Sequence, residues 1–139
     1  MKAEKILAVV AHADDEVLGC GGTLARHSSE GHEVRVLVLA DGVSSRFNAD
    51  EDQYNAVHER IEFAKDAAKV LGVSDIQFTG YPDNQMDTVP LLEVIRSVES
   101  YLKRFPADTV YTHHCGDLNI DHRITGRAVV TATRPTPHA

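Results

Sequence analysis

Apolar residues fall along this chain in two rhythms: short continuous runs, and longer stretches that repeat every three or four positions. The run at residues 5–11 reads as a first strand. Residues 33–40, with Val34, Val36 and Val38 joined by Leu37 and Leu39, read as a second. Near-continuous apolar runs suit parallel strands buried on both faces. Short runs at 76–79 and 109–112 supply a third and a fourth. Between them the helical period takes over. Residues 15–30 form a first helix with Leu18, Leu24 and Ala25 on its buried side, closed by Gly31. Residues 53–71 carry the stripe Val57, Ile61, Ala64, Ala68 and Leu71. Residues 89–104 place Pro90 in a first turn, followed by Leu91, Leu92, Ile95, Val98 and Leu102. A last helix covers 122–131, and polar loops fall at 43–52, 80–84 and 115–121. Strand and helix alternating in this way predict an α/β fold, a parallel sheet with helices on both faces. Its strand C-termini lie along one edge, where ligands bind in such sheets. With no repeat, linker or low-complexity segment, residues 1–139 read as a single domain.

Composition narrows the function. The 139 residues are 42% hydrophobic and 25% charged, ordinary for one globular domain. A formal net charge of -7 without a Lys/Arg cluster argues against nucleic acid or an anionic membrane surface as partner. No apolar run approaches the length of a membrane span. The two cysteines, Cys20 and Cys115, make no disulfide framework, and a reduced, cytoplasmic setting fits them. Histidine is plentiful, and His113, His114 and His122 crowd the last quarter.

The chemistry concentrates where the first strand ends. His12, Asp14, Asp15 and Glu16 follow the apolar run directly. Burying that much charge beside a core strand is costly unless something positive offsets it, and a divalent metal is the simplest such partner. His12 and Asp15 stand three apart, so one helical turn puts both on the same side and leaves Asp14 beside them as a base. The competing reading is an N-capping cluster, for which one Asp would be enough. A catalytic zinc keeps three protein ligands and an open position. The third ligand should come from residues 111–123, where His122 follows Asp121, a candidate to orient it. His113 and His114 are open to two readings, ligand or proton-transfer group on one side, surface or cap residue on the other. Cys20 and Cys115 are further metal candidates, although small buried cysteines are commoner.

These residues resemble a known family. Ala11-His12-Ala13-Asp14-Asp15-Glu16 resembles the AHPDDE signature of the PIG-L/LmbE-like zinc deacetylases. Asp117-Leu118-Asn119-Ile120-Asp121-His122-Arg123 is similar to the second signature of one branch, as are Gly80-Tyr81-Pro82-Asp83-Asn84 and the helix after them. The resemblance covers essentially the whole chain. It implies a Rossmann-like fold, one Zn2+, and hydrolysis of the N-acetyl group of a small N-acetylglucosamine-type substrate. Carried over by position, it makes His12, Asp15 and His122 the zinc ligands and Asp14 the general base. Asp121 and His113 join Asp14 as catalytic candidates.

The chain departs from that pattern in three places. Ala13 replaces a proline. Asn119 stands where many relatives have a histidine, which leaves His113 or His114 to protonate or to stabilise an oxyanion. The family's domain usually continues further, so a truncated or minimal form is expected. Its bare sheet edge would favour a homo-oligomer or low stability. Two other functions compete with the enzyme. One is a dinucleotide-binding module using Gly19, Gly21 and Gly22, although Leu24 occupies the third glycine's place. On the enzyme reading those glycines let the first helix approach the sheet. The other is a catalytically silent, metal-binding remnant.

Overall fold

The four apolar runs become four parallel strands of one sheet. The structure, a computed structural model, describes the backbone of residues 1–42 and 51–136 and all their side chains except those of 51–53. The expected loop at 43–52 therefore falls, up to residue 50, outside the described residues. In chain order the elements are β1 (Lys5–Val10), α1 (Asp15–Ser29), β2 (Glu33–Ala40), α2 (Glu51–Leu71), β3 (Asp75–Tyr81), α3 (Leu91–Arg104), β4 (Thr109–Thr112) and α4 (Ile120–Ala132). A 3-10 turn, Met86–Thr88, precedes α3. The sheet order is β3-β2-β1-β4, every pairing parallel.

Alternation along β1 and β2 divides the core. Leu7, Val9, Leu37 and Leu39 pack with Val94 and Val98 of α3 and Ala128 and Val129 of α4. Ile6, Ala8, Val10, Val34, Val36 and Val38 face the other way, onto Leu24 of α1 and Ala64 of α2. Helices thus cover both faces, as the apolar rhythm predicts. Among the described residues no helix is long and apolar enough to cross a membrane.

Local geometry departs from the periodic pattern at four points. Leu18, expected inside, is 81% exposed. Cys20 leaves helical geometry (φ -145°, ψ 17°), and this kink shifts the phase so that Glu16, Gly21 and Leu24 turn inward. The glycines of α1 do not serve close approach: a Cβ at Gly19 or Gly22 would meet nothing, and one at Gly21 only ordinary contact with Leu71. They also lie inside the helix rather than in a strand-to-helix turn, which removes the dinucleotide reading. β3 runs on to Tyr81 through a register shift against Val38 and Ala40, made feasible by Gly80 at φ 77°. Pro90 sits before α3 rather than within it, preceded by extended Val89. Finally, α4 begins at Ile120, because Asn119 caps it by accepting the N–H groups of Asp121 (2.9 Å) and His122 (3.2 Å).

Candidate active site

The strand order creates the site. β1 leads into α1 on one face of the sheet, whereas its neighbour β4 leads into α4 on the other. Chains leaving adjacent strands toward opposite faces open a crevice at the strand ends, the switch point of an open α/β sheet. His12, Asp14 and Asp15 enter it from β1, His113 from β4, and Asp121 and His122 from the first turn of α4.

Asp15 Oδ2 is the centre of convergence. It accepts the His12 N–H at 2.8 Å and lies 3.3 Å from His12 Nδ1, 3.1 Å from His122 Nε2 and 3.3 Å from His113 Nε2. The second nitrogen of each of two rings is held elsewhere. His12 Nε2 lies 2.8 Å from Asp121 Oδ2 and 3.2 Å from Asp83 Oδ1, while His122 Nδ1 lies 3.2 Å from Asp117 Oδ2. Asp121 is fully buried and is itself fixed by the N–H groups of Asn84 (2.6 Å) and Met86 (3.1 Å). Burial would raise its carboxyl, but the His12 ring and those two amides outweigh this and lower it. Burial likewise opposes a charged His12, yet hydrogen bonds to Asp121 and Asp15 raise that ring to about 9.

This donor set fits a metal. Ligand atoms of His12, Asp15 and His122 lie within 4.8 Å of one another. A ring that donates its other N–H to a carboxylate has its tautomer and orientation fixed for coordination. Asp121 and Asp117 stand in that position for His12 and His122. Two nitrogens and one carboxylate leave a further position open, as a catalytic zinc requires.

The other sequence candidates separate. Asp14 occupies the N-cap of α1 at φ 123° and ψ -26°, and its side chain makes no capping bond, so the capping alternative does not account for it. Its carboxylate lies 3.2 Å from Arg60 Nη2, which also donates to the Ala13 carbonyl at 2.8 Å. Asp14 and Arg60 border a groove of about 440 Å³ that runs between α1 and α2 past Val17 and Phe63. Glu16 is buried, which pushes its carboxyl up, and it accepts the Asp14 N–H at 3.1 Å. His114 is exposed and turned into its own loop, accepting the Gly116 N–H. Cys20 and Cys115 are free thiols, Cys115 being exposed rather than buried, and neither joins a metal-ready group among the described residues. A separate trio, His27, Glu30 and His32, gathers at the far end of α1. There His32 Nδ1 accepts the Glu4 N–H at 2.9 Å, which keeps the neutral ring's proton on Nε2 and that nitrogen from coordinating.

Sequence reasoning missed Arg60, Asp83, Asn84 and the partnership of Asp117 with His122. Arg60 meets Asp14 across 46 positions of chain, and no local spacing announces such a pair. Asp117 was within the second motif, and its offset from His122 was the one available signal.

Known proteins share this arrangement of sequence and fold. The uncharacterized deacetylase YaiS of Escherichia coli is 30% identical over 141 residues, covering 98% of this chain and 71% of its own length. A probable N-acetyl-alpha-D-glucosaminyl L-malate deacetylase 2 of Bacillus cereus is 27% identical, over 95% of this chain and 62% of that protein. The structure of N,N'-diacetylchitobiose deacetylase from Pyrococcus horikoshii, in complex with its inhibitor MPG, superposes with a TM-score of 0.82 at 28% identity. It covers 94% of this chain, which in turn spans 49% of that one. Residues 7–133 match the family described as PIG-L, GlcNAc-PI de-N-acetylase, and the chain belongs to that family.

Proposed function

We propose that this chain carries a zinc-dependent N-deacetylase centre that hydrolyses the acetamide of a small N-acetylglucosamine-type sugar. The observation that carries the reading is the pair of rings, His12 and His122, both aimed at Asp15 while Asp121 and Asp117 hold their other nitrogens. His12, Asp15 and His122 would hold the ion, which when bound makes water more acidic and polarises the acetyl carbonyl. Asp14 is the proposed base. It adjoins Asp15 in the chain and its side chain is 55% exposed, so water can reach its carboxylate and give up a proton to it. The water oxygen bonds to the acetyl carbon, the amide C–N bond breaks, and the proton taken up by Asp14 passes to the leaving nitrogen, giving acetate and a free amine. Asp121 acts through His12 by fixing its ring. The deacetylase names of the relatives favour this chemistry over a silent metal-binding role.

The test is Asp14→Asn, assayed for acetate release from N,N'-diacetylchitobiose and for metal by elemental analysis. Turnover should fall about 10²–10⁴-fold, with metal content near that of the parent. An Asp14→Asn protein working at the original rate would remove Asp14 from the mechanism. A zinc-loaded parent that releases no acetate from any N-acetylated sugar tried would favour the silent role.

A further inference from the structure

We infer that His113 is a positioning residue, a side-chain extension of β4 that fastens the end of β1 and sets the plane of His122, and not the proton donor of the reaction. The inference rests on the metal site proposed above. β1 and β4 pair from Ile6 with Thr109 to Val9 with Thr112. Beyond these pairs the backbone ladder ends, but the fully buried Ala11 still has an N–H that needs an acceptor. His113 Nε2 takes it at 2.9 Å. The His113 carbonyl faces α4 instead, where a Cβ added at Gly126 would lie 2.6 Å from it.

A ring nitrogen that accepts an N–H has its lone pair engaged, so the neutral imidazole carries its proton on Nδ1. His113 Nε2, although 3.3 Å from Asp15 Oδ2, therefore has no proton to give there. The same ring lies flat against His122, with centroids 3.9 Å apart and planes inclined by 12°. His113 thus touches both arms of the candidate site. Through Ala11 it fixes the residue before His12, and by stacking it fixes the ring of His122.

Two substitutions separate positioning from proton transfer. His113→Gln puts an amide oxygen close to where Nε2 lies, so it can accept the Ala11 N–H but cannot relay a proton. His113→Leu keeps bulk and removes the acceptor. Zinc affinity, measured by chelator competition on the full chain, should stay within about threefold in His113→Gln and weaken about 10–100-fold in His113→Leu, the usual cost of losing a residue that orients a ligand. Acetate release by His113→Gln should stay within about tenfold of the parent, against about 10²–10⁴-fold for a lost proton-transfer group. A His113→Gln chain that keeps zinc but loses turnover a hundredfold or more would overturn the inference. Parental zinc affinity in His113→Leu would overturn it too. Should His113→Leu not fold, His113→Gln decides alone. Absence of deacetylation in the parent would count against the proposed activity only, because zinc affinity reads His113 without turnover.

Discussion

Asp14 and Asp15 are neighbours in the chain, yet their carboxylates serve different surroundings, one beside Arg60 and the groove, the other among three imidazoles. The backbone achieves this by holding Asp14 at φ 123°, a conformation that costs a residue with a side chain about 1–3 kcal/mol. Glycine adopts it freely, at about 0.5–1 kcal/mol of extra chain entropy. The lost Asp14–Arg60 pair, more than half exposed on the Asp side, is worth about 0–1 kcal/mol. Asp14→Gly should therefore raise stability by about 1 kcal/mol, a few degrees in melting temperature, while turnover is lost. Calorimetry with an acetate assay checks both, and a lower melting temperature would show that the side-chain contacts outweigh the strain. The i, i+3 relation of His12 to Asp15 was legible from spacing alone, because local geometry brings them together. The strain at Asp14 was not, since nothing in an Ala-Asp-Asp sequence signals a positive φ.

At the level of elements, α4 matters because it carries His122 and touches the end of β4 directly. Gly126 makes that contact possible: a methyl there would sit 2.6 Å from the His113 carbonyl and 3.4 Å from Cys115 Sγ. Gly126→Ala should push α4 outward and destabilise the fold by about 1–3 kcal/mol, the usual cost of overpacking. Zinc affinity should fall with it, because His122 moves with the helix. Gly19→Ala is the contrasting control. Its Cβ meets open space, so removing a helical glycine should stabilise by about 0.8–1 kcal/mol. Urea unfolding of both variants reads the opposite signs, and equal signs would mean that the close approach at Gly126 is not what limits the packing. The same comparison explains which elements sequence periodicity could reveal. The stripe Ala64 and Ala68 in α2 is buried as its three-and-four spacing predicts. In α1 the kink at Cys20 breaks the phase, and a run of glycines beside it carries no side-chain pattern from which to read the break. The start of α4 was misplaced by two residues because Asn119, within a motif read as loop, is itself the cap.

For the whole molecule, the sheet order decides what the metal would do beyond chemistry. His12 and Asp15 follow β1 near the start of the chain, and His122 lies on α4 near its end, more than a hundred positions later. β1 and β4 are adjacent only because the crossover through α3 returns the chain to the other side of β1. An ion bound by all three residues would tie those distant segments together, and in the unfolded chain the same ligands are scattered. Metal should then bind the folded state in preference, contributing about 2.7 kcal/mol when free zinc is a hundred times its dissociation constant. For a chain of this size that corresponds to a rise of roughly 5–15 °C in melting temperature. β4, with four residues and pairing on one side among the described residues, should gain most, so protection of its amides from hydrogen exchange should increase along with those of the first turn of α4. His122→Ala and His12→Ala should each lose most of the zinc-dependent rise while melting cooperatively without zinc. Thermal unfolding of the three proteins, with and without zinc, measures this. If His122→Ala keeps the full rise, His122 is not a ligand, and the ligand set has to be sought among His12, Asp83 and Asp121 instead.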